Sequence, residues 1–86
     1  MDKVTANQIA SLITKSTLTT TKLGAKTTCV TCQLPSGFEI VATSACVDPA
    51  NYDEALGRNL CIRKIEDKLW ELEGYRLQWS LSNYND

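Results

Sequence analysis

Histidine is absent from this 86-residue chain, so the side chain that most often moves protons near neutral pH is missing. A serine or cysteine nucleophile would therefore have to rely on a carboxylate or lysine as its base. Only 4 glycines and 2 prolines occur, and no glycine cluster forms a phosphate-binding loop. No apolar run approaches the ~20 residues that a membrane-spanning helix needs. The opening MDKVTANQ lacks the basic and apolar stretches of a secretory signal. A soluble, cytoplasmic protein is expected, with its 4 cysteines as thiols rather than disulfides.

A single sign of charge is missing as well. The formal net charge is −1, which gives no global field to draw duplex DNA or an anionic membrane. The sum is unevenly divided: residues 1–47 carry +2 and residues 48–86 carry −3. This length allows one domain, residues 1–86, whose own core is marginal. Small domains often compensate by self-association, so a homo-oligomer is expected.

Several elements can be placed. Thr5-Ala-Asn-Gln8 fits a capping box, and Ile9, Leu12 and Ile13 continue as a short amphipathic helix over residues 5–16. Residues 16–25 read as a threonine-rich linker, because β-branched threonine disfavours helix interiors. From Lys26 the period becomes two, with Val30, Cys32 and Leu34 on one face and Cys29, Thr31 and Gln33 on the other. Leu34-Pro35-Ser36-Gly37 predicts a tight turn, and Phe38, Ile40 and Ala42 resume the apolar alternation. The spacing thus predicts a β-hairpin over residues 26–43.

Asp48-Pro49 and Asn51-x-x-Glu54 both offer helix caps before a long helical pattern that runs to Glu73 and stops at Gly74. Cys61, Ile62, Ile65, Leu69 and Leu72 form one stripe, within about 100° of arc. Leu56, Leu60 and Trp70 form a second, with Arg63 and Asp67 between them, so the helix is expected to be buried twice. Beyond Gly74, Tyr75, Leu77, Trp79 and Leu81 alternate with polar residues and predict a third strand, a continued helix being the competing reading. Residues 1–4 and 83–86 are expected to fray. The fold class is α+β: short helix, hairpin, long helix and C-terminal strand.

The segments LPSGFEIV, SACVDPANYDEALGR and IEDKLWELEGY, in that order, resemble a family of small tailed-bacteriophage proteins typified by the gene 49 and gene 66 products of two such phages. The resemblance covers residues 29–78 and leaves out the threonine-rich N-terminal third. It implies phage origin and a dispensable, host-directed use, so the cytoplasm expected above is the host's. It hands over no activity and no catalytic residues.

For each group that could carry chemistry, packing is the competing explanation. Cys29-x-x-Cys32, with Cys46 and Cys61, invites a zinc-stabilised nucleic-acid module, but zinc sites use two close pairs, whereas here two cysteines stand singly. Alternation would also send Cys29 and Cys32 to opposite strand faces, and free cysteine packs readily as a small hydrophobe. No metal, no cofactor and no enzyme activity are expected. Residues 44–52 join a strand to a capped helix start, where backbone amides can meet an anion. Ser44, Tyr52, Arg58, Arg63 and Lys64 are the candidate ligand-binding residues; Asp48 and Asn51 as mere caps are the plainer alternative. Leu56, Leu60, Trp70 and Trp79 are the candidate interface. A non-enzymatic binder is the expectation, in the form of a counter-defence protein sequestering a small nucleotide signal between subunits. An inhibitor or adaptor of a host or phage protein is the alternative.

Overall fold

The computed structural model describes residues 2–82. Helix α1 (Ala6–Lys15) precedes three strands, β1 (Thr17–Leu23), β2 (Thr27–Gln33) and β3 (Glu39–Ala45); a single 3₁₀ turn (Pro49–Asn51) then leads into helix α2 (Glu54–Leu81). The strands form an antiparallel meander in the order β1-β2-β3. The fold is α+β, with α2 laid across β2 and β3 and α1 against α2.

Local chemistry accounts for these boundaries. The Thr5 hydroxyl accepts a hydrogen bond from the Gln8 amide at 3.1 Å, as a capping residue should. The Gln8 side chain, instead of closing a capping box, donates to Glu73 Oε1 at 3.0 Å and ties α1 to α2. The β2–β3 connection has Pro35 at its second position and Gly37 at φ 95°, closed by the Gly37 amide donating to the Leu34 carbonyl at 2.8 Å. Asp48 caps the 3₁₀ turn through the Ala50 amide. Asp53, rather than Asn51, caps α2, its Oδ1 accepting from the Leu56 amide at 3.1 Å.

Alternation gives the sheet two unlike faces. Thr28, Val30 and Cys32 of β2 stand beside Ser44, Ala42 and Ile40 of β3 on the covered face. Val30, Cys32, Ile40 and Ala42 meet Cys61, Ile65 and Leu69 of α2 and Ile9 of α1 in one buried cluster. Val4 packs on its edge and is half-buried. At 3.6 residues per turn, Cys61, Ile65 and Leu69 follow one another down a single stripe. Among the described residues no helix covers the opposite sheet face, and Val41 there is 60 % exposed.

Four expectations need correction. Residues 17–23 form an edge strand rather than a linker, each pairing with β2 from Thr17↔Gln33 to Leu23↔Thr27. Threonine that disfavours a helix suits a pleated sheet. Residues 75–81 are helix, not strand, and Gly74 does not stop α2. Once a helix is nucleated each further residue adds a hydrogen bond, and here i,i+3 and i,i+4 contacts support it. Arg76 pairs with Glu73 at 3.7 Å, and the Tyr75 and Trp79 rings meet edge-on at 6.2 Å. Phe38 belongs to the turn and is 56 % exposed, so the β3 alternation begins at Ile40. Residues 83–86, expected to fray, lie outside the described residues.

Candidate functional site

The N-terminal half of α2 lies tight against the sheet at Gly57. A Cβ built there would lie 2.2 Å from Thr28 Oγ1 and 2.9 Å from Thr28 Cβ, so only glycine fits. Thr28 is the buried polar residue of the described core, 1 % exposed. Its hydroxyl donates to the Tyr52 hydroxyl at 3.1 Å, and its carbonyl accepts from the Cys61 thiol at 3.6 Å. Both polar groups of Thr28 are thereby satisfied, which a buried polar residue requires. The same bond fixes the Tyr52 ring, and the Lys22 ammonium stands over it, 4.5 Å from the centroid. That distance is within cation–π range.

A cleft of about 210 Å³ opens beside this knot, between the end of the sheet and the start of α2. Lys26, Ser44, Cys46 and Asn51 give it a polar side, while Tyr52, Leu56 and Leu60 give it an apolar one. Lys26 Nζ donates to the Val47 carbonyl at 3.1 Å and so holds the connecting loop against β2. One ammonium, one hydroxyl, one carboxamide and an aromatic ring thus converge on a concave surface. That set can receive a polar ring or an oxyanion.

The predicted ligand residues divide. Ser44 and Tyr52 share the cleft. Arg58 reaches the far edge of the sheet and donates to Thr20 Oγ1. Lys64 donates to the Thr43 carbonyl at 2.6 Å on the near edge. Arg63 is exposed, on the side of α2 turned away from the sheet. The three cations therefore clamp or flank the helix and do not meet at one point. Lys22, over the Tyr52 ring, and Lys26, in the cleft, are not sequence candidates: Lys22 lies within the stretch that reads as linker and Lys26 merely opens the hairpin.

The interface candidates divide too. Leu56, Leu60 and Trp70 follow one outward stripe and are 57 %, 38 % and 42 % exposed. Trp79, at 100° per residue, falls on the sheet-facing side of α2, near the helix end. It lines a separate surface hollow with Tyr75 and Gln78.

The cysteines do not assemble. Cys32 and Cys61 are buried, while Cys29 and Cys46 are half-buried. Cys29 and Cys32 occupy opposite sheet faces, and Cys46 donates to the Asp48 carbonyl at 3.2 Å. Among the described residues no cluster of three or more cysteine or carboxylate groups is placed to hold a metal ion. Burial pushes the Cys61 thiol above its ordinary range, against an opposing pull from Lys64. Brief iodoacetamide treatment of the native protein at pH 8 is therefore expected to label Cys29 and Cys46 and spare Cys32 and Cys61. Peptide mass mapping reads this directly, and fast labelling of Cys61 in folded protein would contradict the packing described.

A family model described as "Phage protein (N4 Gp49/phage Sf6 gene 66) family" matches residues 4–81. The match takes in α1 and β1 as well as the C-terminal motifs. No curated protein and no solved structure matches the chain.

Proposed function

Because the chain belongs to the phage protein (N4 Gp49/phage Sf6 gene 66) family, we propose that it is a non-enzymatic phage accessory protein, acting by stoichiometric binding in the host cytoplasm. Within that class the reading is counter-defence, by sequestration of a small nucleotide signal at a subunit interface. The observation that carries it is the position of the cleft, whose apolar rim, Leu56 and Leu60, is also the start of the outward stripe of α2. At about 210 Å³ the cleft is smaller than the ~300–1,000 Å³ of most small-molecule sites. One chain therefore holds part of a nucleotide, and a second chain pressed on the stripe adds the missing wall. Tyr52 supplies the stacking surface, and Lys26, Lys22 and Ser44 supply contacts to phosphate. Asp53 is occupied as the helix cap and Thr28 by Tyr52, so neither is poised for proton transfer.

Isothermal titration against a panel of cyclic and linear nucleotides tests this reading. Binding of at least one member is expected, weakened about 5- to 150-fold by Tyr52→Ala, since base–aromatic stacking contributes about 1–3 kcal/mol. Tyr52→Phe keeps the ring and should keep most of the affinity. Absence of heat with every member would overturn the ligand assignment.

The outward stripe also supports a second reading, an inhibitor or adaptor that docks a host or phage protein on Leu56, Leu60 and Trp70. Light scattering separates the two, because a clean monomer leaves the stripe free for a foreign partner.

A further inference from the structure

The outward face of α2 carries a second periodic pattern, and its charges select a register. Leu56, Leu60, Arg63, Asp67, Trp70 and Gly74 follow one another at alternating spacings of four and three, the seam of a two-stranded helical pair. From this pattern we infer that two copies of the chain pair through α2 in antiparallel fashion, about a two-fold axis level with Ile65. The inference deepens the self-association half of the proposed function and owes nothing to the ligand.

Three observations fix the arrangement. First, Arg63 and Asp67 lie in the middle of the seam, and neither makes an ion pair among the described residues; the observed pairs are Lys68–Glu71 and Arg76–Glu73. With the axis at residue 65, Arg63 stands opposite Asp67 of the partner subunit, and the symmetry repeats the pair. A parallel pair would instead set Arg63 against Arg63 and Asp67 against Asp67. An antiparallel pair slid by one heptad sets Asp67 against Trp70 or Leu56, leaving both charges unmatched in an apolar seam, which costs several kcal/mol per ion. Polar seam positions are the best-attested device for fixing register.

Second, the same register places Leu60 opposite Trp70 of the partner subunit, joining side chains that are otherwise 38 % and 42 % exposed. Third, Leu56 falls opposite Gly74 of the partner subunit. Glycine weakens a helix interior relative to alanine. A Cβ added there would meet nothing within 4 Å, so packing inside the chain does not explain the glycine. A notch that receives a leucine does. Isologous pairing of this kind is the commonest closed assembly, and it brings Trp70 of the partner subunit alongside the cleft rim.

Charge exchange tests the register. By light scattering the wild-type chain should give twice its 9.5 kDa mass. Arg63→Asp and Asp67→Arg should each give the single-chain mass, with native circular dichroism showing that the fold survives. The double variant Arg63→Asp/Asp67→Arg should return the doubled mass, as should an equimolar mixture of the two single variants. A wild-type dimer that ignores both single exchanges, or a single-exchange loss that the double variant fails to recover, would overturn the register while leaving the nucleotide reading standing. A monomeric wild type would remove the pairing and the intersubunit site together. Failure of nucleotide binding alone leaves these masses unchanged.

Discussion

Ile65→Ala is expected to lower the unfolding free energy by about 2–5 kcal/mol. Ile65 is fully buried, one turn from both Cys61 and Leu69, in the cluster that joins both helices to the sheet. Removing its outer carbons loses their transfer free energy and leaves a cavity. Strand pairing on one side and the helix backbone on the other restrict how far that cavity can close. For a chain of this length total stability is about 4–13 kcal/mol. The substitution therefore removes a large share of it. Urea unfolding at one fixed protein concentration provides the measurement, since association would otherwise shift the midpoint. A lower midpoint with an unchanged slope is the expected result. An unchanged midpoint would mean that α2 does not sit on the sheet as described.

Gly57→Ala is expected to cost about 1–3 kcal/mol, the range for overpacking a well-fitted site. The direction runs against helix propensity, which favours alanine over glycine. The contact distances decide the matter. At 2.2 Å and 2.9 Å from Thr28, the new methyl cannot be accommodated without moving backbone, because both clashing atoms sit close to the strand. Displacing α2 would also stretch the Tyr52–Thr28 bond and open the cleft. Adding Thr28→Ala removes the nearer clash, so the pair should cost less than the sum of the two single changes. Additive losses in that cycle would place the strain elsewhere.

The sequence was legible where local chemistry and hydrophobic period agreed. Thr5, Pro35, Gly37 and the stripe Cys61, Ile65, Leu69 all announced their elements. It was not legible at β1, where the covered face carries Leu18, Thr20 and Lys22 and the other carries Thr17, Thr19 and Thr21. An edge strand with so little apolar side chain shows no period of two. At residues 75–81 the period was present but ambiguous. Tyr75, Leu77, Trp79 and Leu81 alternate as a strand would, yet Tyr75 and Trp79 are also helical neighbours four apart. Gly74 reads as a stop because glycine favours helix ends, yet one glycine within a long helix is tolerated.

The cleft was partly visible. Ser44 and Tyr52 flank a strand-to-helix loop and came together as that loop implied. Arg58 follows that loop by one or two turns in the sequence, and Arg63 and Lys64 share its charge, yet the three do not meet. Their separation follows from helical spacing: Arg58 falls on the sheet-facing side and reaches Thr20, Lys64 lies on one flank beside Thr43, and Arg63 lies on the outer side. The role of Lys22 and Lys26 depended on recognising β1, which brings Lys22 beside Thr28 across the strand pair.

The extent of α2 beyond the sheet divides the molecule's resistance to opening. At ~1.5 Å per residue its 28 residues span about 42 Å, whereas a 7-residue strand at ~3.3 Å per residue covers about 23 Å. The segment from Cys61 to Leu69 can release its amide protons only when the whole domain opens. From Tyr75 onward the helix borders only the N-terminal segment, at Lys3, Val4 and Gln8, among the contacts described, and should unwind from the end at smaller cost. Hydrogen exchange along this one helix therefore runs from global to local within about four turns. A subunit seated on the overhang would erase that gradient.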